Sequence, residues 1–178
     1  MQHDDFDLGT SLRILALRDG RIVHVRTIQS QDKDILDDAF QKLGSESRYS
    51  RFFGTVREVP DDILQPEAPG PHGHVVALVA LSNAGAGDIM VGGARYVTSP
   101  SGENCEFAVT VADDWRGLGL ARQLMQQLIN TAREREVRQM EGTVLATNTG
   151  MRGLAKRLGF KDGPYPGDYS LRLVTLEL

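Results

Sequence analysis

The chain has 178 residues and a net charge of −4, with 40% apolar and 25% charged residues. This composition predicts one soluble globular domain over residues 1–178 and excludes a fibre or a largely disordered chain. No apolar run approaches the ~18 residues of a spanning helix, and the N-terminal segment is acidic, unlike a secretory signal. We therefore expect a cytoplasmic protein that binds neither membrane nor nucleic acid, and the single Cys105 excludes an internal disulfide.

The first half of the chain predicts a hairpin followed by helices. Residues 1–9 are expected to form a disordered acidic tail. Two β-rich runs, 12–17 and 21–26, flank Arg18-Asp19-Gly20, which is typical of a hairpin turn. The other predicted elements are a helix over 30–43 capped by Ser30, a short helix over 45–53 and a loop over 60–73.

The second half predicts a strand meander and then alternating helices and strands. The predicted strands cover 74–81, 89–97, 104–111, 141–146 and 169–176, and the predicted helices cover 118–136 and 149–158. The first of these helices has an apolar face formed by Ala121, Leu124, Met125, Leu128, Ile129 and Ala132. The expected fold class is α+β, with a mixed, mostly antiparallel sheet flanked by helices.

Glycine is over-represented, with 19 residues in 178, about 11% against a usual ~7%. From 107 to 122 the sequence FAVTVADDWRGLGLAR runs from an apolar strand through a glycine turn into an amphipathic helix. Such glycines let the backbone approach a ligand, and amides at a helix start suit phosphate oxygens. A dinucleotide loop would need a third glycine and a P-loop would need Gly-Lys-Ser/Thr, so both are excluded. A plain helix-entry turn stays an alternative.

Two stretches of the second half resemble the signatures of one enzyme family. Arg116-Gly117-Leu118-Gly119-Leu120-Ala121 is similar to the Arg/Gln-x-x-Gly-x-Gly/Ala signature of the GNAT N-acetyltransferases. LATNTGM at 145–151 and LAKRLGF at 154–160 resemble the family's second signature, so the resemblance covers about residues 104–161. It implies acetyl-CoA as the co-substrate, with its pyrophosphate at the glycine turn, and no metal.

The same resemblance implies a set of cofactor-binding residues. Strand amides would hold the pantetheine and polarise the thioester carbonyl, and the glycine turn would bind the pyrophosphate. The implied residues are Val109, Thr110, Val111, Arg116, Gly117, Leu118, Gly119, Leu120, Ala121, Arg122 and Asn148. For Asn148, a role as helix N-cap is an equal alternative.

The charge distribution is uneven along the chain. Residues 113–161 carry nine basic and five acidic side chains, a net charge of +4 that leaves −8 for the remainder. A polyanionic co-substrate would be attracted to the positive segment. Many of these arginines can equally be solvated on a helix face.

Glu106 is the candidate catalytic residue. Transfer of an acetyl group to an amine needs a base, because a lysine with a pKa near ~10.4 is protonated at neutral pH. Strand alternation puts Glu106 on the face of Ala108 and Thr110, and Cys105 and Phe107 on the other. A carboxylate within an apolar strand is costly without a role or a partner. The alternative is a strand-edge glutamate paired with an arginine.

Two further stretches sharpen the resemblance to bacterial Pat-type protein lysine acetyltransferases. SRYSRFF at 47–53 is similar to a helix of those enzymes, and EFAVTVADDW at 106–115 is similar to their strand and loop. The resemblance implies that Glu106 is the general base. The aromatic residues of 47–53 can equally pack in a core. No stretch of these 178 residues resembles the large acyl-CoA-synthetase-like portion of some members, so the resemblance leaves the acceptor and regulation open.

One position departs from the family pattern. Many GNAT enzymes have a tyrosine as general acid where this chain has Ala155. The thiolate would then leave unassisted, or take its proton from water or another residue. We interpret Cys105 as a buried core thiol rather than an acyl-carrying nucleophile, because it points away from Glu106. His72 and His74 lie in a loop without further metal ligands.

The function expected from the sequence is transfer of an acetyl group from acetyl-CoA to a primary amine, with a protein lysine as the expected acceptor. Direct attack in a ternary complex would use Glu106 as base. One alternative is the same chemistry on a small cationic amine or an antibiotic. The other is a non-catalytic acyl-CoA-binding sensor, which Ala155 leaves possible.

Overall fold

The computed structural model describes residues 12–43, 74–83 and 87–178, and in this part of the chain strands and helices alternate around one sheet. The strands are β1 (Arg13–Ala16), β2 (Ile22–Thr27), β3 (Val75–Asn83), β4 (Asp88–Thr98), β5 (Asn104–Val111), β6 (Gln139–Leu145), β7 (Lys161–Pro164) and β8 (Leu171–Glu177). The α-helices are α1 (Lys33–Leu43), α2 (Leu120–Glu134) and α3 (Thr149–Arg157), with 3₁₀ turns at Ser30–Asp32 and Asp113–Trp115.

The eight strands form one mixed sheet in the order β1-β2-β3-β4-β5-β6-β8-β7. Every neighbouring pair is antiparallel except β5 and β6, which are parallel. These two strands pair only from Asn104 to Glu106, opposite Gln139 to Glu141, and then diverge. The predicted α+β class with a mostly antiparallel sheet is confirmed.

Two hydrophobic cores lie on opposite faces of the sheet. The larger one packs α2 and α3 against the sheet through side chains such as Leu124, Leu128 and Met140. The smaller one packs α1 on the other face through Leu36, with Val79 from β3. Cys105 and Phe107 belong to the first core and Ala108 packs against the second, so the predicted alternation along β5 is confirmed.

Local sequence explains most element boundaries. The hairpin turn is confirmed, with Gly20 at a φ of 89°. At the end of α3, Gly159 has a φ of 96°, the N–H of Phe160 donates to the carbonyl of Ala155, and the N–H of Gly159 donates to that of Lys156. This Schellman arrangement satisfies carbonyls at the helix end and directs Phe160 into the core.

Some predictions need correction. Ser30 is not the cap of α1 but the first residue of a 3₁₀ turn, and Asp32 accepts the N–H of Gln29 at 2.7 Å. Leu120 rather than Ala121 belongs to the buried face of α2. The short strand β7 was not predicted, because Gly163 and Pro164 are typical of turns.

Several predictions lie outside the described residues, or only partly within them. The expected tail over 1–9, the helix over 45–53, the loop over 60–73 and His72 all belong to the undescribed part of the chain. His74 is exposed directly before β3, and its N–H donates to the hydroxyl of Thr98. Among the helices of the described ranges, none is long and apolar enough to cross a membrane.

Candidate active site

The divergence of β5 and β6 opens a large cavity in the described part of the protein. The cavity has a volume of about 1370 Å³ and extends from the gap between these strands to the N-terminus of α2. Its walls come from β4, β5, β6, α2, α3 and the β1–β2 turn. The sequence-predicted residues that line it are Glu106, Val109, Thr110, Val111, Arg116, Gly117, Gly119, Leu120, Ala121, Arg122 and Asn148.

The edge of β5 presents backbone groups to this gap. The N–H of Ser99 donates to the carbonyl of Asn104, and the N–H of Ala112 donates to that of Val91, so even-numbered residues of β5 bond to β4. Because a strand's backbone groups alternate in direction, Val109 and Val111 point to the β6 side. Pairing with β6 ends at Glu106, so this edge is available to a ligand.

The glycine turn forms the opposite end of the cavity. Gly117 and Gly119 have φ values of 73° and 90°, in the left-handed region that favours glycine. Gly119 is the N-cap of α2 and has no side chain to cap the helix. The first N–H groups of α2, from Leu120 to Arg122, therefore have no hydrogen-bond partner within the helix. Such free N–H groups at a helix start are suited to binding an anion.

Leu118 is placed differently from the other residues of the turn. It is absent from the cavity wall, packs against the larger core and accepts the N–H of Arg18 through its carbonyl at 3.4 Å. Arg116 lines the cavity, pairs with Asp113 at 3.0 Å and donates from Nε to the carbonyl of Val111 at 3.5 Å. Arg116 thus connects the end of β5 to the start of the turn.

Glu106 lies on the cavity wall and is exposed to solvent. Although Glu106 lies in an apolar strand, its exposure leaves the carboxylate hydrated, so the cost expected for a carboxylate in such a strand does not arise. Within the described residues Glu106 forms no ion pair, so the alternative of a strand-edge glutamate paired with an arginine is not supported. Its register partner on β6 is Glu141, which does not line the cavity.

Asn148 caps α3 and also borders the cavity. Its Oδ1 accepts the N–H of Met151 at 3.1 Å, so the N-cap alternative is confirmed by geometry. The preceding loop is held by Arg152, which donates to the carbonyl of Ala146 and pairs with Asp162 at 2.7 Å. Asp162 loses some solvation, but the guanidinium groups of Arg152 and Arg172 outweigh this and lower its pKa.

The two other positions considered for a catalytic role, Ala155 and Cys105, lie in the core. Ala155 is 1% exposed and packs in the larger core, so this position supplies no acid group. Cys105 is 2% exposed on the face opposite Glu106, and burial raises the pKa of its thiol to about 12. Its interpretation as a buried core thiol is confirmed. In the described ranges no cluster of three or more His, Cys, Asp or Glu side chains could hold a metal ion.

Sequence reasoning missed several residues of the cavity wall. Arg18 enters from the β1–β2 turn, Arg95 from β4 and Arg157 from the end of α3. Arg157 lies within the positive segment, which the charge count had already indicated. No local signal identifies Arg18, since it is about 100 residues from the glycine turn that it approaches.

A parallel strand pair that diverges beside a glycine turn, a helix N-terminus with unpaired N–H groups and an exposed carboxylate all border one cavity. The profile of the acetyltransferase (GNAT) family matches residues 35–160. The chain belongs to this family, whose co-substrate is acetyl-CoA, and it is an acyltransferase.

Comparisons with individual proteins agree with this membership. An acetyltransferase of Pseudomonas aeruginosa is 35% identical over 153 residues, which are 86% of this chain and 82% of the relative. The GNAT domain of S. lividans PAT superposes with a TM-score of 0.73 at 24% identity, over 94% of this chain and 97% of that one. The ribosomal-protein-alanine N-acetyltransferase of Brucella melitensis gives 0.65 at 23% identity, over 86% and 99%. These two structures share the fold with this chain.

Proposed function

We propose that this protein is an N-acetyltransferase that transfers the acetyl group of acetyl-CoA to a primary amine, with a protein lysine as the acceptor. The observation that carries the proposal is that Glu106 and the free edge of β5 at Val109 and Val111 border one cavity with the start of α2. One strand thus offers a base at Glu106 and amide donors three and five residues further along. A single domain acting in the cytoplasm belongs to the same proposal.

The co-substrate would bind along the gap between β5 and β6. Its pyrophosphate would accept hydrogen bonds from the N–H groups of Leu120 to Arg122, where the positive end of the α2 dipole also favours an anion. Its pantetheine would replace β6 as the partner of the β5 edge. The N–H of Val109 or Val111 would donate to the thioester carbonyl and stabilise the negative charge that develops there.

The chemical step is a direct attack in a ternary complex. Glu106 takes a proton from the acceptor ammonium, directly or through a water, and the free amine attacks the thioester carbon. The nitrogen of the tetrahedral intermediate loses its second proton to solvent water, the intermediate collapses, the C–S bond breaks and the amide forms. The thiolate leaves with its electron pair and takes a proton from water, since Ala155 supplies none and a thiol pKa near ~8.5 makes it a fair leaving group.

The exposure of Glu106 favours a large acceptor over an enclosed small one. The cavity opens to solvent at this carboxylate, so a lysine side chain on a protein surface can reach it. The acidic balance outside residues 113–161 also attracts cationic acceptors. A small polyamine or an aminoglycoside satisfies the charge requirement too, and therefore belongs in the acceptor panel.

Glu106→Gln tests the catalytic role. We expect kcat/KM at pH 7 to fall about 10²–10³-fold, because a general base of this kind contributes roughly that much. The readout is thiol release from acetyl-CoA with lysine peptides and polyamines, together with binding of acetyl-CoA by calorimetry. Binding should stay within about twofold, because the variant keeps the size of the side chain.

Glu141→Gln is the matched control, since it removes a carboxylate one strand away that does not line the cavity. It should keep activity within about threefold. Equal turnover by wild type and Glu106→Gln would sink the base assignment. If the wild type binds acetyl-CoA but transfers nothing to any acceptor, the protein is a sensor, and proteome-wide acetylation by mass spectrometry would show no change on its deletion.

A further inference from the structure

The β1–β2 turn is docked on the segment that leads into the glycine turn. The N–H of Arg18 donates to the carbonyl of Leu118, and a guanidinium N–H of Arg21 donates to the carbonyl of Asp114 at 2.9 Å. The Arg21 guanidinium also lies 4.1 Å from the ring centroid of Trp115. These contacts join parts of the chain that are 93 to 100 residues apart and hold the hairpin at the end of the cavity.

This docking places a cation where the helix dipole disfavours one. A Cβ on Gly119 would lie 3.8 Å from Nε of Arg18, so the Arg18 side chain passes beside the N-cap of α2. Arg18 is exposed, so the dipole disfavours its charge only weakly in water, and an anion between the guanidinium and the helix N-terminus would reverse the sign of the interaction. Arg18 lines the cavity, and within the described residues it forms no ion pair.

The surrounding charges point the same way. Arg116 and Arg122 line the cavity at the same end, and Arg122, like Arg18, pairs with no carboxylate of the described chain. Arg116 is paired with Asp113, but the guanidinium groups of Arg18 and Arg122 repel each other at this helix start in the absence of a counterion. A diphosphate supplies two or more negative charges and several acceptor oxygens, which suit the planar donor fork of arginine.

We propose that Arg18 binds the diphosphate of acetyl-CoA from the β1–β2 turn, opposite the N–H groups of α2. The inference rests on the proposed co-substrate site and adds a residue from outside the glycine turn. In this arrangement the hairpin closes one side of the phosphate site. Arg21 acts through Arg18 as a positioning residue, because its contacts with Asp114 and Trp115 fix the turn.

The test compares Arg18→Gln with Arg13→Gln, an exposed arginine of the same hairpin that does not line the cavity. Binding of CoA and of dephospho-CoA, which keeps the diphosphate but lacks the 3′-phosphate, is measured by calorimetry. We expect Arg18→Gln to weaken both ligands about tenfold or more and to an equal extent. Arg13→Gln should change neither by more than about twofold, and Arg18→Lys should fall between.

Each other outcome overturns the assignment. Unchanged binding by Arg18→Gln and Arg18→Lys removes Arg18 from the site. If Arg18→Gln weakens the binding of CoA but not of dephospho-CoA, Arg18 contacts the 3′-phosphate and not the diphosphate. If Arg18→Gln and Arg13→Gln lose the same affinity, the ligand responds only to the overall charge of the hairpin and not to a contact with Arg18. A wild-type protein that binds neither ligand sinks the proposed function itself, which is a distinct result from a defect confined to the Arg18 variants.

Discussion

A single buried ion pair fixes the start of α1. Asp32 is 1% exposed, its two carboxylate oxygens accept from Arg26 at 2.6 and 2.7 Å, and one of them also accepts the N–H of Gln29. The hydrogen bonds to Asp32 raise the pKa of Arg26. Since Asp32 is buried and Arg26 is half-buried, the pair is costly to break from one side.

Asp32→Asn is therefore expected to lower the free energy of unfolding by about 2 kcal/mol, because the half-buried guanidinium of Arg26 loses its charged hydrogen-bond partner. Urea denaturation measures this difference. Asp38→Asn, at an exposed position of α1, should stay within about 0.5 kcal/mol of wild type. A loss below about 1 kcal/mol for Asp32→Asn would show that water reaches Arg26 more freely than its burial indicates.

At the scale of elements, a close contact between an aromatic ring and a glycine lies where β5 and β6 separate. The ring of Phe107 lies against Gly142 on β6, where a Cβ would come within 2.5 Å of its Cζ. On its other side Phe107 packs edge-on against Phe160, with ring centroids 5.3 Å apart. Glycine at 142 thus provides room for the ring at the point where the two strands separate.

Gly142→Ala should destabilise the protein by about 1–3 kcal/mol, because a methyl group at this position forces the Phe107 ring or β6 to move. Thermal and urea unfolding measure the change. Gly150→Ala is the control, since its Cβ would meet its nearest neighbour, Asn148, at 3.8 Å, an ordinary contact. The double variant Gly142→Ala/Phe107→Leu should lose less unfolding free energy than the sum of the losses of the two single variants. Strictly additive losses would contradict a steric conflict between residue 142 and the Phe107 ring.

At the scale of the whole molecule, the sequence predicts what is local and misses what is distant. The hairpin, α2 and the central strands follow from turn residues and apolar periodicity, and the glycine turn and Glu106 follow from family motifs. The separation of β5 and β6 after Glu106 depends on pairing between segments far apart in the chain. The approach of Arg18 to Gly119 has the same origin, so no local pattern contains it.

The sheet has two parts, β1–β5 and β6–β8. They are joined by three residue pairs, in which Asn104–Glu106 of β5 lie opposite Gln139–Glu141 of β6. A ligand in the gap would take the place of the missing β5–β6 ladder and connect the two parts. Saturating acetyl-CoA should therefore slow amide exchange at Val109 and Val111, whose N–H groups point to the gap, about tenfold or more. Thr110, whose N–H points to β4, should change much less.

Hydrogen exchange followed by NMR measures these amides one by one, and a ligand fragment separates the two ends of the cavity. Adenosine 3′,5′-bisphosphate lacks the pantetheine, so it should protect the first amides of α2 from Leu120 to Arg122 and leave Val109 and Val111 unchanged. Exchange at Val109 and Val111 that is the same with and without acetyl-CoA would show that the pantetheine does not run along β5. Protection of those two amides by the fragment would mean instead that closure at the phosphate end tightens the entire sheet.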